Sequence, residues 1–141
     1  MKYYVVIDTN VLVSAMLKVH SVPGSIVDLA FDGSITPVLN ESIEKEYRAV
    51  LSRPKFHLPD DLIEDIINTF QQRGIYVDAE ELDIELPDPK DLVFYEVVME
   101  KRKEEESFLV TGNIKHFPKK PFIVTPREML NIILMDKDLY E

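Results

Sequence analysis

Apolar runs and helical-period patches alternate along this chain, with polar clusters between them. Tyr3-Tyr4-Val5-Val6-Ile7 is an unbroken strand-forming run, which predicts a strand buried on both faces. Asp8-Thr9-Asn10 interrupts it, and a helix is predicted over Val11–Lys18. Ser21-Val22-Pro23 has the chemistry of a cap and first turn for a second helix, which runs through about Phe31 and is closed by Gly33. Ile35–Leu39 reads as a short strand. Asn40 is placed to cap a helix to about Ser52, ended by Arg53-Pro54. Pro59 begins another, with Leu62, Ile63, Ile66, Ile67 and Phe70 at helical spacing, and Gly74 stops it. Ile75–Val77 is a strand, and residues 78–87 are acidic and irregular. Asp88-Pro89-Lys90-Asp91 opens a helix to about Lys103. Phe108–Val110 and Phe122–Val124 are strands, and Pro126 opens a last helix through about Leu134.

Alternation of this kind predicts a central parallel sheet of about five strands with helices on both faces and right-handed crossovers. The expected organisation is a single domain over residues 1–134 and a C-terminal tail over 135–141. The carboxyl ends of the strands then share one edge, where open α/β sheets bind ligands. That edge receives Asp8, the start of the 40–52 helix and the Thr111-Gly112-Asn113 turn. It also receives Asp91 if the following helix enters from the same side.

Composition narrows the chemistry. The chain has 141 residues, 45% of them apolar, enough for a sizeable core. It has no cysteine, which excludes disulfides and thiolate metal sites. A single Lys2 precedes the first strand, unlike the pattern of a signal peptide, and no apolar run approaches the roughly 20 residues of a membrane span. The expectation is a soluble cytoplasmic protein with no membrane association. A net charge of −10 opposes nucleic-acid binding unless acids are gathered around cations or basic residues are clustered. Arg48, Arg53, Lys55 and His57 form one basic group, and Lys115, His116, Lys119 and Lys120 another. Lys101-Arg102-Lys103, followed by Glu104-Glu105-Glu106, reads as a solvated helix end. The surplus acidity also suits a basic protein partner.

Each acid has a plain structural role to weigh against a chemical one. Asp8 could cap the first helix, but Asp8-Thr9-Asn10 offers more capping chemistry than one helix uses. Asn10, directly before Val11, is the better cap, which leaves Asp8 free. In the 40–52 helix, Ile43, Tyr47, Val50 and Leu51 define the buried stripe. Glu44 and Glu46 flank that stripe on opposite sides, and periodicity does not choose between them. Asp88 reads foremost as an N-cap. Asp91 lies three and four residues before Phe94 and Tyr95, on the inward stripe, where a helix-dipole role alone would not require it. Thr111-Gly112-Asn113 forms a polar rim beside Asp8 on the functional reading and a plain turn on the structural one. His116 reads as a turn histidine, because neither His20 nor His57 stands at a paired spacing. Asp8, a glutamate of the 40–52 helix and Asp91 together suit a hard divalent cation, Mg²⁺ or Mn²⁺.

Five segments, in this order and spacing, resemble a PIN domain. They are Val5-Val6-Ile7-Asp8-Thr9-Asn10-Val11-Leu12-Val13-Ser14-Ala15, Glu46 to Phe56, Asp88-Pro89-Lys90-Asp91, Leu109-Val110-Thr111-Gly112-Asn113 and Ile123 to Glu128. The nearest resemblance is to the branch that includes toxin components of bacterial and archaeal toxin–antitoxin systems. It implies a Rossmann-like three-layer α/β/α sandwich and Mg²⁺- or Mn²⁺-dependent cleavage of RNA. It selects Glu46 over Glu44 and assigns Asp8, Glu46 and Asp91 as metal-binding acids, with Asp88 as a fourth carboxylate. Thr9 and Asn10 become supports for Asp8 and a bound water, beside Thr111 and Asn113. Two departures stand out: Asn113 and Leu92 occupy positions where many PIN domains carry acids. They imply one well-held metal, a poorly held second, and weak or selective activity.

The expected protein is an endoribonuclease toxin holding RNA between Arg48, Arg53 and Lys55 on one side and Lys115, Lys119 and Lys120 on the other. Its expected partners are an antitoxin protein and further copies of itself, the latter hinted at only by the apolar Leu12, Val13, Met16 and Leu17, which suit a core equally well. The rival is a binding module of the same fold with little or no activity, which Asn113 and the −10 charge favour. A phosphoacceptor domain fits poorly, because it would want a second acid where Asn10 stands.

Overall fold

The computed structural model describes residues 3–140, so Lys2 and Glu141 lie outside it. The expected first strand forms β1 over Tyr3–Ile7. Val5, Val6 and Ile7 have at most 1% of their surface exposed, which explains why the run is apolar at every position rather than alternating. Further strands are β2 (Ile35–Leu39), β3 (Ile75–Tyr76), β4 (Ser107–Val110) and β5 (Ile123–Val124). All pair in parallel, in the order β3-β2-β1-β4-β5. The chain builds outward from β1 to β3, then returns to β1's other side for β4. The order therefore reverses between β1 and β4, where the crevice of such a sheet lies.

Six helices flank the sheet, giving the expected α/β/α sandwich: α1 (Thr9–Leu17), α2 (Val22–Asp32), α3 (Glu41–Leu51), α4 (Asp60–Arg73), α5 (Leu92–Arg102) and α6 (Pro126–Tyr140). Helix α2 packs against α1 and α6, while α5 lies on β1, β2 and β4 with α3 alongside. The Ser21 hydroxyl accepts from Gly24 N–H at 3.1 Å, and Asn40 Oδ1 accepts from Ile43 N–H at 2.9 Å, so both predicted caps form. Gly33 ends α2 with φ of 90°, a conformation open to glycine. Among the described residues, no single helix is long and apolar enough to cross a membrane.

Three local expectations are corrected. Helix α1 begins at Thr9, with Asp8 at the cap position and Asn10 inside the first turn. The Asp8 carbonyl already accepts from Val11 N–H at 3.0 Å, so the helix nucleates earlier than its apolar stripe. The basic run is solvated only in part: Arg102, Lys103 and the three glutamates after them are exposed, whereas Lys101 is not. Lys101 is buried, pairs with Glu105 at 2.9 Å and lies 4.6 Å from the Tyr4 ring centre. Arg102 donates to the Ser107 carbonyl at 2.6 Å and stacks 4.1 Å from Phe122. The last helix continues past Leu134 to Tyr140. Of Leu12, Val13, Met16 and Leu17, left open between core and interface, Leu12 is core and Leu17, at 54%, is well exposed.

Tyr47 anchors α3 to the sheet. It is fully buried, packs edge-on to Phe70 at 5.7 Å, and its hydroxyl donates to the Ile7 carbonyl, the residue before Asp8. Tyr47→Phe leaves that carbonyl unpaired and is expected to lower stability by about 1–3 kcal/mol. Urea denaturation checks this, with far-UV circular dichroism expected unchanged.

Candidate active site

Ile7 and Val110 are the last register pair of β1 and β4, so Asp8 and Thr111 emerge side by side at the strand crevice. The Asp8 N–H donates to the Val110 carbonyl at 2.9 Å, which fixes the backbone there. The Asp8 side chain makes no capping bond. Instead its Oδ2 accepts from the Thr111 hydroxyl at 2.7 Å, and that hydroxyl oxygen accepts from the Asn113 N–H at 3.0 Å. A three-member chain thus runs from the turn after β4 to the carboxylate after β1. Asn10 ties the same two turns again, its Oδ1 accepting from Gly112 N–H at 3.2 Å.

Asp8 is only 4% exposed. Burial pushes its carboxyl up from the usual 3.8 to about 6, against the opposing pull of the Thr111 hydrogen bond. The charges of Asp91 and Glu46 raise it further, which places both acids within electrostatic reach. Thr9 donates its hydroxyl to Glu46 Oε2, bringing α3's inward glutamate to the residue beside Asp8. Glu44 points elsewhere and accepts from Tyr76 and Gln71. Of the two glutamates that periodicity left open, Glu46 is the one that meets Thr9.

Asp91 sits in a short helical turn, Pro89–Asp91, that precedes α5. Its side chain is 14% exposed and lies in hydrogen-bond contact with His116, Oδ2 to Nδ1 at 3.1 Å. Burial raises the Asp91 carboxyl, His116 draws it back down and Asp88 pushes it up. His116 lies in a turn, Ile114–His116, as expected, but its contact with Asp91 was not foreseen. Its partner is 25 residues away and on another element, so no local spacing marked it. Asp88 accepts from Lys90 N–H at 3.0 Å, the capping role its position predicted. Asn113 carries no charge to the rim, and Leu92 opens α5 as its first residue.

The predicted basic groups are unequal. Arg48 is ion-paired with Glu64 across α3 and α4. Arg53 and Lys55 are exposed after α3, as are Lys115, Lys119 and Lys120 after the Asn113 turn.

Among the described residues, no three histidine, aspartate or glutamate side chains converge closely enough to hold a metal ion as they stand. Glu46 is turned to Thr9 and Asp91 to His116. The donor chemistry nevertheless fits a hard cation: three carboxylates share one crevice, and the charges that bear on the buried one are acidic.

Comparison with known proteins agrees with this fold. Residues 4–115 match the family described as PIN domain, a stretch that includes every acid of the candidate site. A curated relative, the uncharacterized protein MJ1680 of Methanocaldococcus jannaschii, is 43% identical over 54 residues. That alignment spans 38% of this chain and 35% of the relative. No solved structure matches.

The Asp8 shift has a definite sign. Its folded value, about 6, lies above the ordinary 3.8, so the stabilising contribution is full below about pH 4 and lost as pH rises through 6. Above that the ionised carboxylate costs about 3 kcal/mol in the metal-free chain. Asp8→Asn removes this cost and keeps an acceptor for Thr111. Metal-free Asp8→Asn is therefore expected to melt several degrees above wild type at pH 8, with the gap closing towards pH 4, as read by thermal denaturation in EDTA across pH.

Proposed function

The chain belongs to the PIN domain family, whose members are generally nucleases that use divalent metals, and on that premise we propose that it is a metal-dependent endoribonuclease. One observation carries the reading. Asp8 is a buried carboxylate at the crevice of a parallel sheet, held by Thr111 and facing two further acids. A charge so placed is costly unless a cation compensates it.

Asp8, Glu46 and Asp91 would hold the ion, Mg²⁺ or Mn²⁺. When bound, it supplies Lewis-acid polarisation of the phosphodiester and a more acidic water. The remaining groups orient the acids. Thr111 fixes Asp8's Oδ2. Thr9 holds Glu46, and His116 holds Asp91. Asn10 and the Asn113 N–H keep the two turns in register around them. Asp88 shapes the turn that presents Asp91, and its charge bears on that acid. Arg53, Lys55, Lys115, Lys119 and Lys120 are exposed cations for the RNA backbone, whereas Arg48 is committed to Glu64.

The finer reading, a toxin held in check by an antitoxin, draws its support from the order of motifs and from a net charge of −10 that suits a basic partner. The same charge and the exposed Leu17 and Val19 support self-association or a protein partner over extended nucleic-acid binding. A second reading, a PIN-fold binding module of little activity, is favoured by the uncharged Asn113 and by the carboxylates being turned to Thr9 and His116.

Purified wild type with Mn²⁺ is expected to cleave single-stranded RNA in preference to DNA. Asp8→Asn is expected to slow cleavage by about 100-fold or more with the fold intact by circular dichroism. Equal rates for the two proteins would remove Asp8 from the chemistry. No heat of Mn²⁺ binding at millimolar concentration would favour the binding module.

A further inference from the structure

A cleft of about 250 Å³ opens between the first turns of α1 and α2, the turn after β4 and the start of α6, lined by residues that neighbour Asp8 in the chain or bind it through Thr111. Val11, Pro23 and Pro126 give it flat apolar walls, and Asn10, Ser14 and Asn113 line its polar side. Its floor is built from the two turns that hold Asp8: Asn10 lies two residues beyond Asp8, and Asn113 donates to the hydroxyl that binds it. The amides are free for a ligand. Asn10 uses only its Oδ1, on Gly112, which leaves its NH₂ group without a partner among the described residues. The exposed Asn113 side chain makes no hydrogen bond among them either.

We propose that this cleft takes one nucleobase of single-stranded RNA next to the cleaved phosphate, with the prolines and Val11 against its faces and Asn10 and Asn113 on its edge. The proposal rests on the nuclease reading and adds where specificity is set. Unstacked bases are recognised in this way, by packing on the ring faces and amide hydrogen bonds to the edge. Charge favours the same side. The loop leaving Asn113 carries exposed Lys115, Lys119 and Lys120, and exposed Arg127 follows Pro126. The larger cleft on the opposite flank, about 410 Å³, is lined by Glu41 and Asp78, which repel phosphates.

Two bulky substitutions at exposed helix positions separate the clefts. Ser14→Trp fills the proposed pocket, and Ser42→Trp fills the acidic one. The probes are a fluorescein-labelled 12-nucleotide single-stranded RNA read by anisotropy and a random-sequence RNA pool whose cut ends are sequenced. Ser14→Trp is expected to weaken binding by about tenfold or more, with Mn²⁺ affinity and melting temperature unchanged. Asn113→Ala is expected to flatten the base preference beside the cut, and Ser42→Trp to behave as wild type. Wild-type binding by Ser14→Trp, or weakening confined to Ser42→Trp, overturns the proposal while leaving the nuclease reading standing. A wild-type protein that neither binds nor cuts the RNAs overturns both.

Discussion

The rest of the site depends on one desolvated charge. Asp8 stands where β1 ends inside the sheet crevice, with its carboxyl lifted to about 6 by burial and by two neighbouring acids. A folded chain tolerates this only because Thr111 donates to the carboxylate and because the turns after β1 and β4 are locked together at Asn10–Gly112 and Thr111–Asn113. The strand order makes that lock possible, because β1 and β4 are neighbours although about a hundred residues separate them in the chain.

The other acids are delivered by different devices. Tyr47 pins α3 to the Ile7 carbonyl, which sets the height of Glu46 beside Thr9. The Asp88-capped turn presents Asp91, and His116 receives it. The irregular acidic segment over 78–87 is tied back onto α5, with Leu82 N–H donating to Glu96 at 2.6 Å and Glu80 N–H to Glu100 at 3.2 Å.

Much of this was legible in the chain, and the misses share a cause. Strands buried on both faces announce themselves as unbroken apolar runs, and Ser21, Asn40 and Gly33 mark helix ends through local chemistry alone. Asp8 and Asp91 could be singled out because an acid after a buried strand, or on an inward stripe, is expensive without a purpose. Failures came where a side chain's partner is remote in sequence. Asn10 looked like a cap until Gly112 claimed it. Lys101 looked solvated until Tyr4 and Glu105 engaged it, while Arg102 stays exposed beside Phe122. His116 had no local signal, since its meaning comes from Asp91. Glu44 and Glu46 were equivalent by periodicity, and only the PIN resemblance or the contact with Thr9 separates them.

The account's central claim is that Asp8's costly charge exists to hold a divalent cation. Proton release on metal binding tests it most directly, because an ion must displace the proton that Asp8 keeps near pH 6. Calorimetric titration of Mn²⁺ in two buffers of different ionisation enthalpy gives that number. The account predicts at least about half a proton released per ion at pH 6, falling to near zero by pH 8. Binding without proton release at pH 6 would contradict it, as would a release that persists unchanged in Asp8→Asn.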